Sequence, residues 1–591
     1  MRKNLAYIFI LSFLMISCEK DFLERYPLDK ISSADYWTSE NDLRLYANKF
    51  YQKLPSHGTN YSSGYMFSRD KGTDNLISGK ADDRFSGVLV TPSSDGSKWN
   101  WSTIRSVNYF IAHCDKVTTG NKASINTYKG EIYFFRAYFY YNLLKKYGDL
   151  PWVDKVMTEN SQELYNPRVS RNIIANNIVK DLDIAIELLK SRASQKGDDK
   201  MRISKEVALL FKSRVCLYEG TWEKYHQGTA FGVDGKDGRE FLELVPDVLK
   251  QMKMLGTCAI ETGDPTNAYW SLFNKSDYTN SKEVLLWRKY DISLGLGHNL
   301  NRNLARGNSE GLTKSFIDSF LDIEGNPISA SNVFQGYNSL TEIVADRDPR
   351  LKQSVWVENT TLTTNHPSGK DEYFDIPLVV ASTEDRSITG FNTYKGFNPD
   401  YDQRSANHIC TTGAIIMRYA EVLLNDAEAK AELGTLTQAD VDQTINVLRD
   451  RVGMVHLDIA NITEDINWQF PKVSDVINEI RRERRIELSL SGYRKDDLMR
   501  WRGASSFINK RPLGFKYTGS VYEGKYLDKK GKDMVKLNQN LFLTDEGFID
   551  PFKKILPNGY GFDENRDYLL PLPLDQLNLN NNLKQNPGWE S

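Results

Sequence analysis

The chain of 591 residues carries 76 Lys and Arg against 78 Asp and Glu, so its net charge of −2 provides no broad field for nucleic acid or an anionic surface. Five cysteines, widely spaced and without a CxxC pair, exclude a zinc ribbon or a dense disulfide framework and read as buried free thiols beyond Cys18. Tyr, Phe and Trp make up 12% of the residues; with many Asn and Gly they suit a surface that meets uncharged polar ligands, because an aromatic ring joins an apolar face to a polar tip.

Arg2 and Lys3 precede an apolar run from Leu5 to Ile16, too short to span a bilayer but fitting for the central region of a signal peptide. The run ends at Ser17-Cys18, and a cysteine directly after a small residue at that place is the bacterial lipobox pattern, although Met15 stands where leucine is usual. The expectation is a signal peptide over residues 1–17, a lipid on Cys18, and a tether over 18–33 broken by Pro27 and Ser32-Ser33. Two or more acyl chains hold a protein stably at a bilayer where one does not. No other run reaches spanning length, so lipid is the expected attachment.

Ser33 or Asp35 is placed to cap a helix over 35–54, closed by Pro55. Residues 56–102 are rich in Gly, Ser, Asp and Asn, with Tyr61, Tyr65, Phe67, Phe85, Trp99 and Trp101 among them, and read as a loop carrying aromatics. Helical spacing returns at Ile104, Val107 and Ile111. It strengthens over 130–151, where Ile132, Phe135, Phe139 and Leu143 line one face and Phe134, Tyr138 and Tyr141 a second. A helix apolar on two faces lies between neighbours, which puts Tyr138, Tyr140 and Tyr141 in the core. Gly148 and Pro151 stop it.

Further helices are predicted over 171–192 and from Glu206. Helix pairs of this kind build tetratricopeptide-type solenoids, here without a clean period of about 34 residues, so the array is interrupted. Residues 221–240 hold Trp222, Tyr225, His226 and Phe231 in a Gly-rich setting. The stretch 262–412 is poor in helical periodicity, carries Tyr269, Trp270, Tyr278, Trp287, Tyr290, Trp356 and Tyr394, and reads as loops and small strands such as 351–357. Helix resumes over 415–434, around 441–452, and over 475–503.

In the last of these, Val473, Val476, Ile477 and Ile480 set an apolar stripe whose continuation lands on Arg484 and Glu487. Charge therefore stands where core is due. The pair is three apart and able to meet on the helix itself, so the stretch RRERR is expected to form a structural ion network, in preference to a ligand or catalytic site.

Several segments together resemble the SusD/RagB group of nutrient-binding outer-membrane lipoproteins. They are SCEKDFLE at the lipid site, FFRAYFYYNLLKKYGDLP, SFIDSFLDIEGNPI (315–328), DRDPRL (346–351), RYAEVLLNDAEA, IRRERRIELSLSGYRKDDLMRW and DYLLPLPLDQLNLNNNLKQNPGW (567–589), which span nearly the whole mature chain. The resemblance implies a mainly α fold, with a tetratricopeptide-like helix-pair scaffold and an irregular region of loops and short strands packed on it to present the ligand site. It also implies an outer-membrane, cell-surface location, a glycan ligand, and a partner, a SusC-like TonB-dependent transporter over which the lipoprotein sits as a lid. The expected division is 34–260 for the N-terminal helical part and 261–591 for the C-terminal part, the latter comprising the insertion 262–412, helices 415–503 and a cover 504–591, all in one globular unit.

No GxSxG, HExxH, Walker loop or GxGxxG is present, and the seven histidines (57, 113, 226, 298, 366, 408, 456) never fall at metal-ligand spacing. Glycosidase chemistry needs only two carboxylates about 5–10 Å apart, and nothing in the sequence marks such a pair. No catalysis and no cofactor are expected; the Asp-rich loop 346–348 leaves room for a structural calcium. Binding a sugar calls for a ring against its apolar face, framed by Asp, Asn or Arg. Family members with characterised starch binding use aromatics from the stretch before the second helix with Asp and Arg just upstream, so by position Asp74, Arg84, Trp99, Asn100 and Trp101 are candidates. Trp99 and Trp101, two apart, point to opposite sides if extended, and the alternative reading is that the pair anchors the loop to the scaffold. Trp222, Tyr269, Trp270, Tyr278 and Trp287 in the insertions are the alternatives. The reading is glycan capture and delivery without catalysis; peptide or glycoprotein binding, or a structural lid with no nutrient site of its own, are the competing readings.

Overall fold

Helical spacing along the first half of the chain becomes a layered array of packed helices. The computed structural model describes residues 36–58, 66–94 and 98–590. The expected signal peptide, Cys18, the tether, Ser33, Asp35, Tyr61 and Tyr65 lie outside the described residues. The longer helices, numbered in chain order, are α1 (Glu40–Tyr51), α2 (Ser102–His113), α3 (Lys122–Tyr147), α4 (Arg171–Leu188), α5 (Lys205–His226), α6 (Leu244–Leu255), α7 (Tyr419–Leu433), α8 (Asp475–Glu487) and α9 (Arg494–Arg500). Helices α1 and α2 pack on α3, α3 on α4, α4 on α5, and α5 on α6, α7 and α9; α7 in turn packs on α8. This is the tetratricopeptide-like scaffold.

The longest helix shows how local chemistry sets it. Asn121 caps α3 by accepting the amides of Ala123 and Ser124, and the chain leaves the helix at Gly148 with φ of +70°. Phe134, Phe135, Tyr140 and Tyr141 are buried on its two faces and Tyr138 is half-buried, as a helix between neighbours requires. Helix α1 begins later than predicted, because Ser39 and Asp42 form a reciprocal cap.

Among the described residues, three two-stranded antiparallel sheets join segments distant in sequence. They are β1 (Leu76–Ser78) with β3 (Glu310–Leu312), β2 (Val284–Arg288) with β6 (Ala414–Arg418), and β4 (Thr361–Thr363) with β5 (Glu372–Tyr373). The helix predicted from 415 therefore starts at Tyr419, since the residues before it are paired with β2. The segment 351–357 is not a strand; its start completes a short helix, Pro349–Lys352.

Two large hydrophobic cores form among the described residues. One fills the helical scaffold and includes Phe110, Phe134, Phe211, Leu424 and Ile480; the other fills the irregular region around Trp356, Phe391, Phe397 and Phe515. The expected C-terminal cover divides between them: Phe515, Tyr522 and Ile549 join the second core, Phe552, Tyr560 and Leu572 the first. Helix α8 runs along the seam, with Ile480 in the first core and Ile486 in the second.

Candidate functional site

The site begins with a pairing. Leu76 of β1 lies opposite Leu312 of β3, so the residues before β1 are carried beside those after β3, and Thr313 donates from its amide to the Asn75 carbonyl at 3.0 Å and from its hydroxyl to that of Asp74. Just upstream, the buried Asp70 accepts the amides of Leu490 (2.7 Å) and Gly492 (2.9 Å) and the side chain of Asn75 (2.9 Å). The one long helix predicted over 475–503 is broken here: Leu490 and Gly492 have φ of +64° and +88°, and Asp70 holds the break in place.

Asp74 completes the joint. It receives Arg494 through Nε at 2.8 Å and Nη2 at 2.7 Å, lies 3.3 Å from Arg485 Nη2, and accepts Gln469 Nε2 at 2.6 Å. Although burial pushes its carboxyl upward, Arg485 and Arg494 hold it well below the usual carboxylate range. A fixed anion thus ties the 66–78 segment, the 465–470 loop and the α8–α9 corner together.

Above this joint opens a cleft of about 610 Å³. Its aromatic walls are Phe334, Tyr337 and Trp468, each half-buried, with Phe470, Phe507 and Tyr560 beneath. Phe334 and Tyr337 meet edge to face at 5.1 Å, and Tyr337 is set by Phe548 at 5.3 Å and by its hydroxyl bond to Asp318 at 3.0 Å. Trp468 is set by Arg482, whose guanidinium lies 4.9 Å from the ring centroid. Asp465 locks the Trp468 loop, accepting Arg482 at 2.7 Å, the Asn467 amide at 2.9 Å and Ser329 from the facing loop at 2.7 Å. Planar rings framed by Asn467, Gln469, Asp318 and Lys314 are what a sugar requires: apolar faces for its C–H surface and polar groups for its hydroxyls.

Of the binding candidates chosen from sequence only Asp74 lines this cleft, together with Arg481 and Arg482 of the RRERR stretch. Trp222, Tyr269, Tyr278, Trp287 and Trp99 are buried, which corrects the expectation that they offer a face to ligand. Trp222 donates to the Phe231 carbonyl at 2.9 Å beneath Arg171; Tyr269 donates to the Glu487 carbonyl at 2.8 Å; Tyr278 and Trp287 pack on each other at 5.4 Å. The insertion has a core of its own and spends its rings there.

Trp99 meets Trp101 at 5.3 Å and Tyr147 at 4.9 Å, while Trp101 is half-buried against Tyr140; the pair anchors its loop to α3. Asn100 is exposed and accepts the Ser102 amide at 2.8 Å where α2 begins. Arg84 is turned to structure, donating through Nε to the Asp567 carbonyl at 2.5 Å and through Nη2 to that of Tyr568. Trp270, half-buried, stacks on Tyr394 at 5.5 Å. These residues do not meet in one place.

Phe334, Tyr337, Trp468 and Tyr560 were missed. Trp468 had a signal: Asp465-Ile466-Asn467-Trp468-Gln469 is an aromatic in a polar inter-helical loop, the same pattern that singled out Trp99. Among the described residues no group of three or more His, Cys, Asp or Glu converges as metal ligands. In the loop 346–348, Asp348 holds Arg350 at 2.7 Å and Asp346 accepts Gln335 at 2.9 Å. Cys114, Cys216 and Cys410 are free and buried, and Cys258 is free and half-buried; burial pushes the Cys216 thiol up to about 12.

Comparison with known proteins agrees with this architecture. The family described as "SusD family" matches residues 273–589, and one described as "Starch-binding associating with outer membrane" matches residues 90–217. The SusD-like protein P2 of Formosa agariphila is 24% identical over 502 residues, covering 83% of this chain and 79% of its own. A SusD-like carbohydrate binding protein of Bacteroides fragilis superposes with a TM-score of 0.69 at 21% identity, over 93% of this chain and 100% of that one. Surface glycan-binding protein A of Bacteroides fluxus does so with a TM-score of 0.56 at 18% identity, over 93% and 100%. With more than half of its length matched by the family and its fold shared along nearly all of it, the chain belongs to the SusD family.

Proposed function

We propose that this protein is a lipoprotein of the outer-membrane surface, anchored through Cys18, which captures an oligo- or polysaccharide in the cleft and hands it to a TonB-dependent transporter barrel without chemistry of its own. The observation that carries the reading is the cleft itself: about 610 Å³ walled by Phe334, Tyr337 and Trp468, with polar side chains held in place between them. The family description naming starch binding at the outer membrane, and relatives named for carbohydrate or glycan binding, support the ligand class. Asp74, Asp318 and Asp465 are each bound to a cation, an arrangement for holding hydroxyl groups and not for delivering a proton to a glycosidic oxygen.

Each ring that covers roughly 50–100 Å² of apolar sugar surface contributes about 1–2.5 kcal/mol at ~25 cal/mol per Å². Two or three rings, less the cost of association, give affinities from tens of micromolar to millimolar, suited to capture and release. Replacing Trp468 by Ala is expected to weaken glycan binding roughly 5- to 70-fold, the equivalent of one such platform, with an unchanged circular dichroism spectrum. Affinity electrophoresis against a polysaccharide panel checks this, and an unaltered affinity would remove the ligand from this cleft.

A further inference from the structure

Behind one wall of the cleft stands a buried charge without a counter-charge. In the segment DRDPRL, Arg350 is matched by Asp348 at 2.7 Å and by Glu483, whereas Arg347, 3% exposed, has no carboxylate within ion-pair distance among the described residues. Its guanidinium is taken up by backbone carbonyls: Nη2 donates to Phe320 at 2.5 Å and to Ile317 at 3.0 Å, Nε to Leu321 at 3.2 Å and Nη1 to Ile343 at 3.4 Å. Burial pulls the group down to about 10, which Asp318, Tyr337, Asp348 and Asp322 offset only in part. Burying a cation on carbonyls alone is unfavourable, so the position calls for a reason beyond packing.

Two neighbours supply that reason. The first is Phe334, whose ring centroid lies 5.2 Å from the Arg347 guanidinium carbon and whose ring walls the cleft. Phe334 belongs to neither helix nor strand, so no ladder of backbone bonds aims its ring; its amide donates only to Ser331 Oγ, at 3.1 Å. Beside it, Gln335 is held by Asp346 at 2.9 Å, and Asp346 adopts a φ of +53° in doing so. The adjacent residues 346 and 347 thus hold the adjacent residues 335 and 334. The second neighbour is the short helix Lys314–Asp318, because the carbonyls of Ile317, Phe320 and Leu321 lie at its C-terminal end, where a cation is favoured. This helix brings Lys314, Ser315 and Asp318 to the cleft, and Asp318 in turn holds the Tyr337 hydroxyl at 3.0 Å. One side chain therefore ties the Phe334 loop to the helix that sets Tyr337.

We infer that Arg347 is a positioning residue of the glycan cleft, fixing the Phe334 ring relative to Tyr337 from behind the wall, so that both rings are set before a sugar arrives. The inference rests on the cleft being the glycan site, and it adds a residue that does not itself line it. Without the cation the ring is free to turn, and a sugar has to order it on binding; the loss of affinity passes through Phe334 alone.

The test is a double-mutant cycle on the full-length lipoprotein in detergent, titrated calorimetrically with malto-, cello-, manno-, xylo- and galacturono-hexaoses and continued with those that bind. Arg347→Met keeps a long side chain and removes the cation; Phe334→Leu keeps an apolar wall and removes the ring. Arg347→Met is expected to weaken binding roughly three- to tenfold in the otherwise native protein, and less than about twofold in the Phe334→Leu background. Its melting temperature is expected to fall in both backgrounds alike, since the carbonyls lose their donor whichever residue stands at 334, so a merely structural role moves stability without this coupling in affinity. If Arg347→Met does not fold, the same cycle is read with Arg347→Lys, which keeps the charge but not the planar fork; a smaller weakening is expected, again confined to the protein that retains Phe334. Unaltered affinity on replacing Arg347, or equal weakening in both backgrounds, overturns the inference and leaves glycan capture intact. No binding by any probe, or binding indifferent to Trp468→Ala for every probe, overturns the cleft as the glycan site and the inference with it.

Discussion

Glu487 is fully buried, and Arg451 at 2.6 Å, Arg418 at 2.5 Å and Arg350 at 3.2 Å converge on its carboxylate. Burial alone pushes such a group upward, yet the three guanidinium groups hold it well below the usual carboxylate range. Glu483 and Arg484 of RRERR join buried ion pairs, as the interrupted apolar stripe indicated, while Arg481 and Arg482 of the same stretch line the cleft. The pair expected within the helix does not form, since Arg484 turns to Asp497 at 3.0 Å. Spacing shows which residues share a helix face, but a buried charge takes its partner from whichever chain packs there. Glu487→Ala is expected to cost about 3–5 kcal/mol, because it leaves buried cations uncompensated, and to leave glycan affinity of the folded fraction unchanged. Urea denaturation with parallel titrations checks both halves.

Three buried histidines give the stability a pH dependence. His57 and His298 lie 4.5 Å apart; in each, Nε2 faces a carbonyl (Gly413, Thr412) and Nδ1 faces a backbone amide (Met66, Leu300), so a second proton has no acceptor. Burial lowers both, His298 to about 4, and burial likewise takes His226 to about 3. The unfolded chain therefore binds these protons first as pH falls. Stability is expected to be full above the ordinary histidine value of 6.5 and to decline progressively from there towards pH 4. Denaturation midpoints at pH 7.5 and 5.0 decide it; a flat profile would contradict the buried neutral pair.

At the scale of the element, the helices were readable because a 3.6-residue rhythm survives wherever a helix has a consistent inside. The α8–α9 break was not. Residues 475–503 are uninterrupted by proline, and the turn after Glu487 is held by Asp70, more than 400 positions away, which takes the amides of Leu490 and Gly492. The same corner makes Gly492 irreplaceable by a larger residue: its φ is +88° and an added Cβ would stand 2.9 Å from that of Arg69. Gly492→Ala is expected to destabilise by about 1–3 kcal/mol and to loosen the cleft floor, seen as faster amide exchange at 465–470. Unaltered exchange there would separate the corner from the site. The strand pairing of β6 was hidden for a related reason, since Ile415 and Ile416 suit a helix or a strand and only β2 decides between them.

At the scale of the whole molecule, two cores meet along α8, and the cleft opens at the seam, between Phe470, Phe507 and Tyr560 of the helical core and Tyr337, which packs on the other. Composition pointed to loop aromatics as candidates for recognition, and Trp468 is a loop aromatic in the cleft wall. Composition could not separate rings that face solvent from rings that fill the second core, because an insertion long enough to have its own interior shows no period to betray it. Asp74, a candidate by position within the family resemblance, lines the cleft, where its carboxylate pairs with Arg494. The measurement that bears most directly on this account is titration of the full-length protein and of Trp468→Ala with a panel of polysaccharides, the same mixtures being assayed for cleavage. The account predicts a saturable ligand that is bound, left uncut and weakened several-fold by the substitution. Cleavage of the bound glycan, or binding indifferent to Trp468, would contradict it.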